Sequence, residues 1–212
     1  KEGLSEENLN TIESQLASKN QNKNINSANP SQQQLNSLLE CYQTGRHGDA
    51  ENLAVSITQK FPKHQFSWKV LGAVLELTGR MSESLVASQK SVQLAPQDVE
   101  AHSNLGNTLK KLGRLDEAEA SYTQAIALKP DYAAAHNNLG NTLKELGRLE
   151  EAEASLREAI ALEPDYAVAH SNLGVTLKEL GRLDDAEASY NQAIALKPDF
   201  ADALYNRSQL LF

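Results

Sequence analysis

Cysteine is nearly missing from this chain. Cys41 is the only one among 212 residues, so no disulfide can form within it, which fits a reducing compartment. Its place on an apolar helical stripe reads as a small buried side chain rather than a reactive thiol. No Cys/His spacing suits zinc, and no glycine-rich loop could cradle a phosphate. No catalytic constellation is legible; no enzyme activity, metal or cofactor is expected. Basic charge is also short: 20 Lys and Arg against 28 Asp and Glu give a net charge of −8. That excludes the basic track that general nucleic-acid binding needs, and the cationic patch that seeks an anionic membrane. No apolar run approaches the roughly 20 residues of a membrane span, so no membrane insertion is expected. No leader peptide is visible.

What the chain does have is a period. The frame A-H-x-N-L-G-x-T-L-K-x-L-G-R-L-x-x-A-E-A-S begins at Ala101, again at Ala135 and again at Ala169, and Pro62, Pro96, Pro130, Pro164 and Pro198 keep the same 34-residue interval. Self-similarity at this length marks a stacked array rather than one central core. Within the unit, Ala101, Leu105, Leu109 and Leu112 share one helical stripe. Gly113 follows, where a helix end favours positive φ. Asp116 and Glu117 place negative charge at the start of a second helix. Its apolar stripe is Ala118, Tyr122, Ala125 and Ile126. Lys129 suits its C-terminus, and Asp131 can cap the next first helix. Small residues at Gly106 and Ala118 let the paired helices approach closely. Each hairpin has apolar surface left on both sides, which only stacking neighbours can bury.

These residues resemble the tetratricopeptide repeat family, whose pattern is W-x2-L-G-x2-Y…A-x3-F…P. Here it reads His102, Leu105, Gly106, Leu109, Ala118, Tyr122 and Pro130, and one unit earlier Trp68, Leu71, Gly72, Leu75 and Pro96. Aligned on proline, the units are 31–64 (divergent, with Gln34, Ser37 and Leu38 in place of the aromatic, Leu and Gly), 65–98, 99–132, 133–166 and 167–200. Residues 201–212 follow as a further first helix or a cap. The resemblance implies an all-α, right-handed α-α superhelix with the first helices lining its concave side. A bacterial, cytoplasmic setting comes from the same resemblance.

The first helices carry the informative polarity. Opposite the apolar stripe lie Asn104, Asn107, Lys110 and Lys111; then Asn138, Asn141 and Lys144; then Asn172 and Lys178; and then Asn206. An amide both donates and accepts, so a row of Asn can hold a peptide backbone whatever its side chains. Extended chain advances about 3.3 Å per residue and helices pack about 8–10 Å apart, so successive Asn would meet roughly every third residue. The competing reading is that these amides bond neighbouring helices and stabilise the stack. The run A-H-S-N-L-G-N resembles the repeats of O-linked N-acetylglucosamine transferases, in which an asparagine ladder holds the substrate backbone. Asn104, Asn138, Asn172 and Asn206 match that ladder. A carboxylate clamp for acidic chaperone tails is represented only by Lys69 and Asn104. His102, His136 and His170 fill the aromatic packing position and stand too far apart to share a metal. Arg114, Arg148 and Arg182 follow the turn glycines, where carbonyls or nearby acids are their partners.

Residues 1–30 lie outside the repeats. Ser5 as cap and Leu4 with Leu9 as a staple predict a helix from about residue 6 to 18, its stripe being Leu9, Ile12 and Leu16, with a polar linker after it. The expected function is a scaffold for a protein or peptide partner, bound extended in the groove. Two alternatives stand beside it: a homo-oligomer built through the ends or residues 1–30, and a recruiting arm of a longer transferase.

Overall fold

A computed structural model describes residues 29–210; the helix expected over 6–18, and Phe212, lie outside them. Every regular element among the described residues is an α-helix, eleven in all. In chain order they are α1 (Gln32–Gln43), α2 (His47–Lys60), α3 (Gln65–Leu77), α4 (Met81–Leu94), α5 (Val99–Lys111), α6 (Leu115–Leu128), α7 (Ala133–Glu145), α8 (Leu149–Leu162), α9 (Ala167–Glu179), α10 (Leu183–Leu196) and α11 (Ala201–Ser208). The last ends at Ser208, short of the full first helix expected over 201–212.

The first helices end as their glycines require. Gly45, Gly79, Gly113, Gly147 and Gly181 all hold φ between 72° and 78°. In four of these turns the following arginine N–H reaches back to a carbonyl of the finished helix: Arg46 to Cys41, Arg80 to Leu75, Arg148 to Leu143 and Arg182 to Leu177, each at 2.9 Å. This double turn satisfies otherwise orphaned carbonyls and reverses the chain into the second helix. The expected acidic first turns are present, with Asp116 and Glu117 in α6, Glu150 and Glu151 in α8, and Asp184 and Asp185 in α10.

Capping departs from expectation. Asp131 does not cap α7; the N-cap is Tyr132, which makes no side-chain cap bond. The cap position falls two residues after each proline, at His64, Asp98, Tyr132, Tyr166 and Phe200. Asp131 comes one residue after Pro130, whereas Asp98 comes two after Pro96. Only Asp98 is in register, and its carboxylate accepts from the Ala101 N–H at 3.0 Å. Farther upstream, Ser31 and Gln34 form a reciprocal capping box on α1.

The chain forms two compact units, one running to Leu112 and one from Gly113. In the first, Leu38, Cys41, Ala50, Ala54 and Ile57 pack with Trp68, Leu71, Val74 and Leu75. In the second, Leu156, Leu173, Leu177, Ala186 and Tyr190 form a core. Hairpin partners touch closely where glycine removes Cβ. A Cβ on Gly140 would lie 2.6 Å from Leu156 Cγ, and one on Gly174 would lie 2.5 Å from the Tyr190 ring.

In both units the successive first helices pack on one another: α1 on α3 and α3 on α5; α7 on α9 and α9 on α11. The backbones of the second helices pack against the first helices that flank them. Side chains on the exposed face of neighbouring first helices are thereby brought side by side. None of the described helices is long and apolar enough to cross a membrane.

Candidate functional site

The candidate site, taken in each unit by itself, is the exposed face of the first helices. Its backbone is fixed by an internal bond in each: Thr108, Thr142 and Thr176 are buried and donate to the carbonyls of Asn104, Asn138 and Asn172 at 3.1, 2.8 and 3.0 Å. The hydroxyl faces the core, so the asparagine four residues earlier stands at the edge of the packed surface. Asn104, Asn138, Asn172 and Asn206 are all half-buried.

In the first unit, the face of α5 carries Asn104 and Asn107, both half-buried, and Lys111, which is exposed. The Lys111 ammonium lies 2.8 Å from Glu76 on α3 and so ties the two first helices together. Lys69 is committed in the same direction, 3.0 Å from Asp98 and 2.8 Å from Glu100. Gln65 adds an amide bond to Asp98 at 2.8 Å. Burial works to raise the Asp98 carboxyl, but Lys69, the Ala101 N–H and Gln65 outweigh it and hold it below the usual carboxylate range. Lys69 therefore braces the stack between α3 and α5.

In the second unit, Asn138, Asn141 and Lys144 on α7 and Asn172 and Lys178 on α9 are half-buried. Asn137 joins the two helices. Asn172 Nδ2 donates to Asn137 Oδ1 at 2.8 Å, and Asn137 Nδ2 donates to Asn138 Oδ1 at 3.2 Å. Asn137 itself is only 3% exposed. Asn172 thus takes the bracing role, bonding a neighbouring first helix. Asn172 spends one N–H on the stack and has a second by its chemistry. The link through Asn137 was hidden in the sequence because the two flanking repeats carry Ser103 and Ser171 at that position.

The repeated histidines are packing residues with a polar duty. Trp68 Nε1 donates to the Pro62 carbonyl at 2.9 Å. His102, His136 and His170 place Nε2 at the same distance from the carbonyls of Pro96, Pro130 and Pro164. Each ring therefore ties a first helix to the turn before it. The turn arginines pair with acids: Arg148 with Glu151 and Glu119, and Arg182 with Asp185 and Glu153. Arg80 does likewise with Glu83 and Glu51. Each of these three bonds its own helix and the preceding second helix.

Three family models match the chain: a TPR repeat over 106–147, and tetratricopeptide repeats over 131–199 and 87–120. Together they run from residue 87 to 199, over half of the chain. No curated protein matches it. Among solved structures it is similar to a thermophilic TPR protein of Thermus thermophilus, with 25% identity, TM-score 0.69, and coverage of 85% of this chain and 98% of that one. It is also similar to YrrB, described as a TPR protein with an unusual peptide-binding site, with 20% identity, TM-score 0.68, and coverage of 84% and 92%. A third is MamA, residues 41 to the end, from Desulfovibrio magneticus, with 18% identity, TM-score 0.72, and coverage of 83% and 99%.

Proposed function

Because this chain belongs to the tetratricopeptide repeat family, we propose that it is a non-catalytic protein-interaction scaffold that takes an extended polypeptide across its first helices. The observation that carries the reading is the linked amide set Asn172, Asn137 and Asn138 on two packed first helices. It holds two ladder asparagines in fixed positions, so a guest backbone would meet amides that need little ordering on binding. Asn141, Lys144, Lys178 and Asn206 belong to the same polar face of the second unit, and the first unit by itself offers Asn104, Asn107 and Lys111. A structural relative described as having a peptide-binding site supports a peptide as the class of guest.

The test begins with a short peptide selected against the full chain from a display library. The Asn138→Ala and Asn172→Ala double variant should bind it at least about tenfold more weakly, the loss of a hot-spot pair, with helicity retained. Unchanged affinity removes the reading.

A self-assembling array is the second reading, supported by Tyr205 at 65% exposure and Leu204 at 38% on α11. Light scattering across a concentration series separates the two: a mass that stays monomeric excludes assembly. The recruiting arm of a transferase is a finer form of the first reading. It is supported by the asparagines at the 34-residue interval and is tested by the longer reading frame.

A further inference from the structure

The opposite side of the second unit holds a cavity that the peptide reading does not use. Between α8 and α10 runs a groove of about 390 Å³. Its floor is His170 and Leu173 of α9; Ile160 and Ala161 form one wall and Ala188 the other. We propose that this groove is a second docking site, for a basic segment of a partner protein that inserts one bulky apolar side chain.

The apolar part follows from what fills the same position elsewhere in the chain. Trp68 occupies the place of His170 in its own repeat, is only 6% exposed, and makes the same bond to a proline carbonyl. An imidazole makes that bond and leaves out the second ring of an indole, so space remains over Leu173. Small Ala161 and Ala188 leave the walls low. Leu196, 36% exposed, lies a helical turn beyond Gln192, another lining residue, and prolongs the apolar line along α10.

The basic part follows from charge. Helix α8 carries Glu150, Glu151, Glu153 and Glu158 and α10 carries Asp184, Asp185 and Glu187, which makes seven carboxylates against three arginines, Arg157 and the N-cap residues Arg148 and Arg182. Arg157, which lines the groove, shares Glu153 with Arg182, at 2.8 and 2.7 Å, and Arg182 also pairs with Asp185 and Arg148 with Glu151; Glu150, Glu158, Asp184 and Glu187 carry the remaining negative charge of the two helices. A segment entering between these helices meets an excess of carboxylates, which steers cations in and acids away.

The probe is a short fluorescein-labelled peptide with one Trp, one Leu a helical turn away and Lys elsewhere, read by anisotropy against the full chain. A matched peptide with Glu for Lys is the control. His170→Trp restores the indole that its repeat-mate already has, so the fold should persist. Ala188→Trp fills the groove from the other wall without touching the His170 bond. The lysine peptide should bind, weaken as salt rises, and lose about tenfold or more in affinity to each filling variant. Failure of the lysine peptide to bind overturns the proposal. So does equal binding of the glutamate peptide, or unchanged affinity in both variants, which would mean diffuse attraction to an acidic surface. The asparagine row is untouched by these changes, so its own test stands apart.

Discussion

Replacing Asn172 by Ala asks what the amide row contributes to the fold before any guest arrives. The substitution removes the donor to Asn137 Oδ1, a 2.8 Å bond on a side chain that is 3% exposed. A buried acceptor left without its partner costs about 1–3 kcal/mol. The bond that Asn137 Nδ2 still donates to Asn138 does not satisfy that oxygen, so the loss should fall within the full range of about 1–3 kcal/mol. The companion change is Asn137→Ser, the residue that the flanking repeats hold buried at 103 and 171, each at 4% exposure. Serine there removes the stranded acceptor, so Asn172→Ala should cost much less in that background. The coupling between the two sites should be about 1 kcal/mol. Urea titrations followed by circular dichroism give the stabilities, and hydrogen exchange should place the loss in α7 and α9. A single variant as stable as the parent, or two losses that simply add, would refute the claim that these amides brace the first helices.

Three further outcomes follow from the packing and the charges. Gly140→Ala gains about 1 kcal/mol of helix propensity but drives a Cβ to 2.6 Å from buried Leu156 Cγ. Overpacking of about 1–3 kcal/mol should win, so a melting point equal to or above the parent's would contradict it. Tyr190 has its hydroxyl buried without a partner among the described residues; burial first, and then the Glu179 charge, push its ionisation up to about 12. Tyr190→Phe should stabilise the fold by about 1 kcal/mol and delete a late, high-pH step in an ultraviolet tyrosinate titration; a variant less stable than the parent would show that the hydroxyl is satisfied. Asp98, held below the usual carboxylate range, contributes stability that is present above its unfolded value of about 3.9 and is lost as pH falls through its lower folded value. Asp98→Asn should therefore be less stable at neutral pH and flatter in acid, and an acid limb identical to the parent's would count against the Lys69–Asp98 brace.

The sequence made the hairpins legible because each depends on contacts within a few turns of chain: the leucine stripe, the glycine at positive φ, and the acids opening the second helix. It also placed Asn104, Asn138 and Asn172 at the same register of their own first helices, since the 34-residue interval alone decides that. What it left hidden depends on single side chains reaching across repeats. Lys111 and Lys69 look like ligands along one helix, yet Lys111 finds an acid on the preceding first helix and Lys69 finds one at the cap of the next. Asn137 looks like a polar neighbour of the row until α9 sets Asn172 against it. Asp131 misses the cap by one residue, a register that only the proline count from Pro96 to Asp98 could have exposed.

The most direct test of the peptide reading is an N-methyl scan of a bound peptide. Each peptide N–H is replaced in turn and affinity is measured for the parent chain and for the Asn138→Ala, Asn172→Ala variant. Backbone capture by amides about 10 Å apart along a chain rising about 3.3 Å per residue predicts losses that recur at about every third residue in the parent and fade in the variant. Losses confined to side-chain replacements, with N-methylation tolerated throughout, would contradict it.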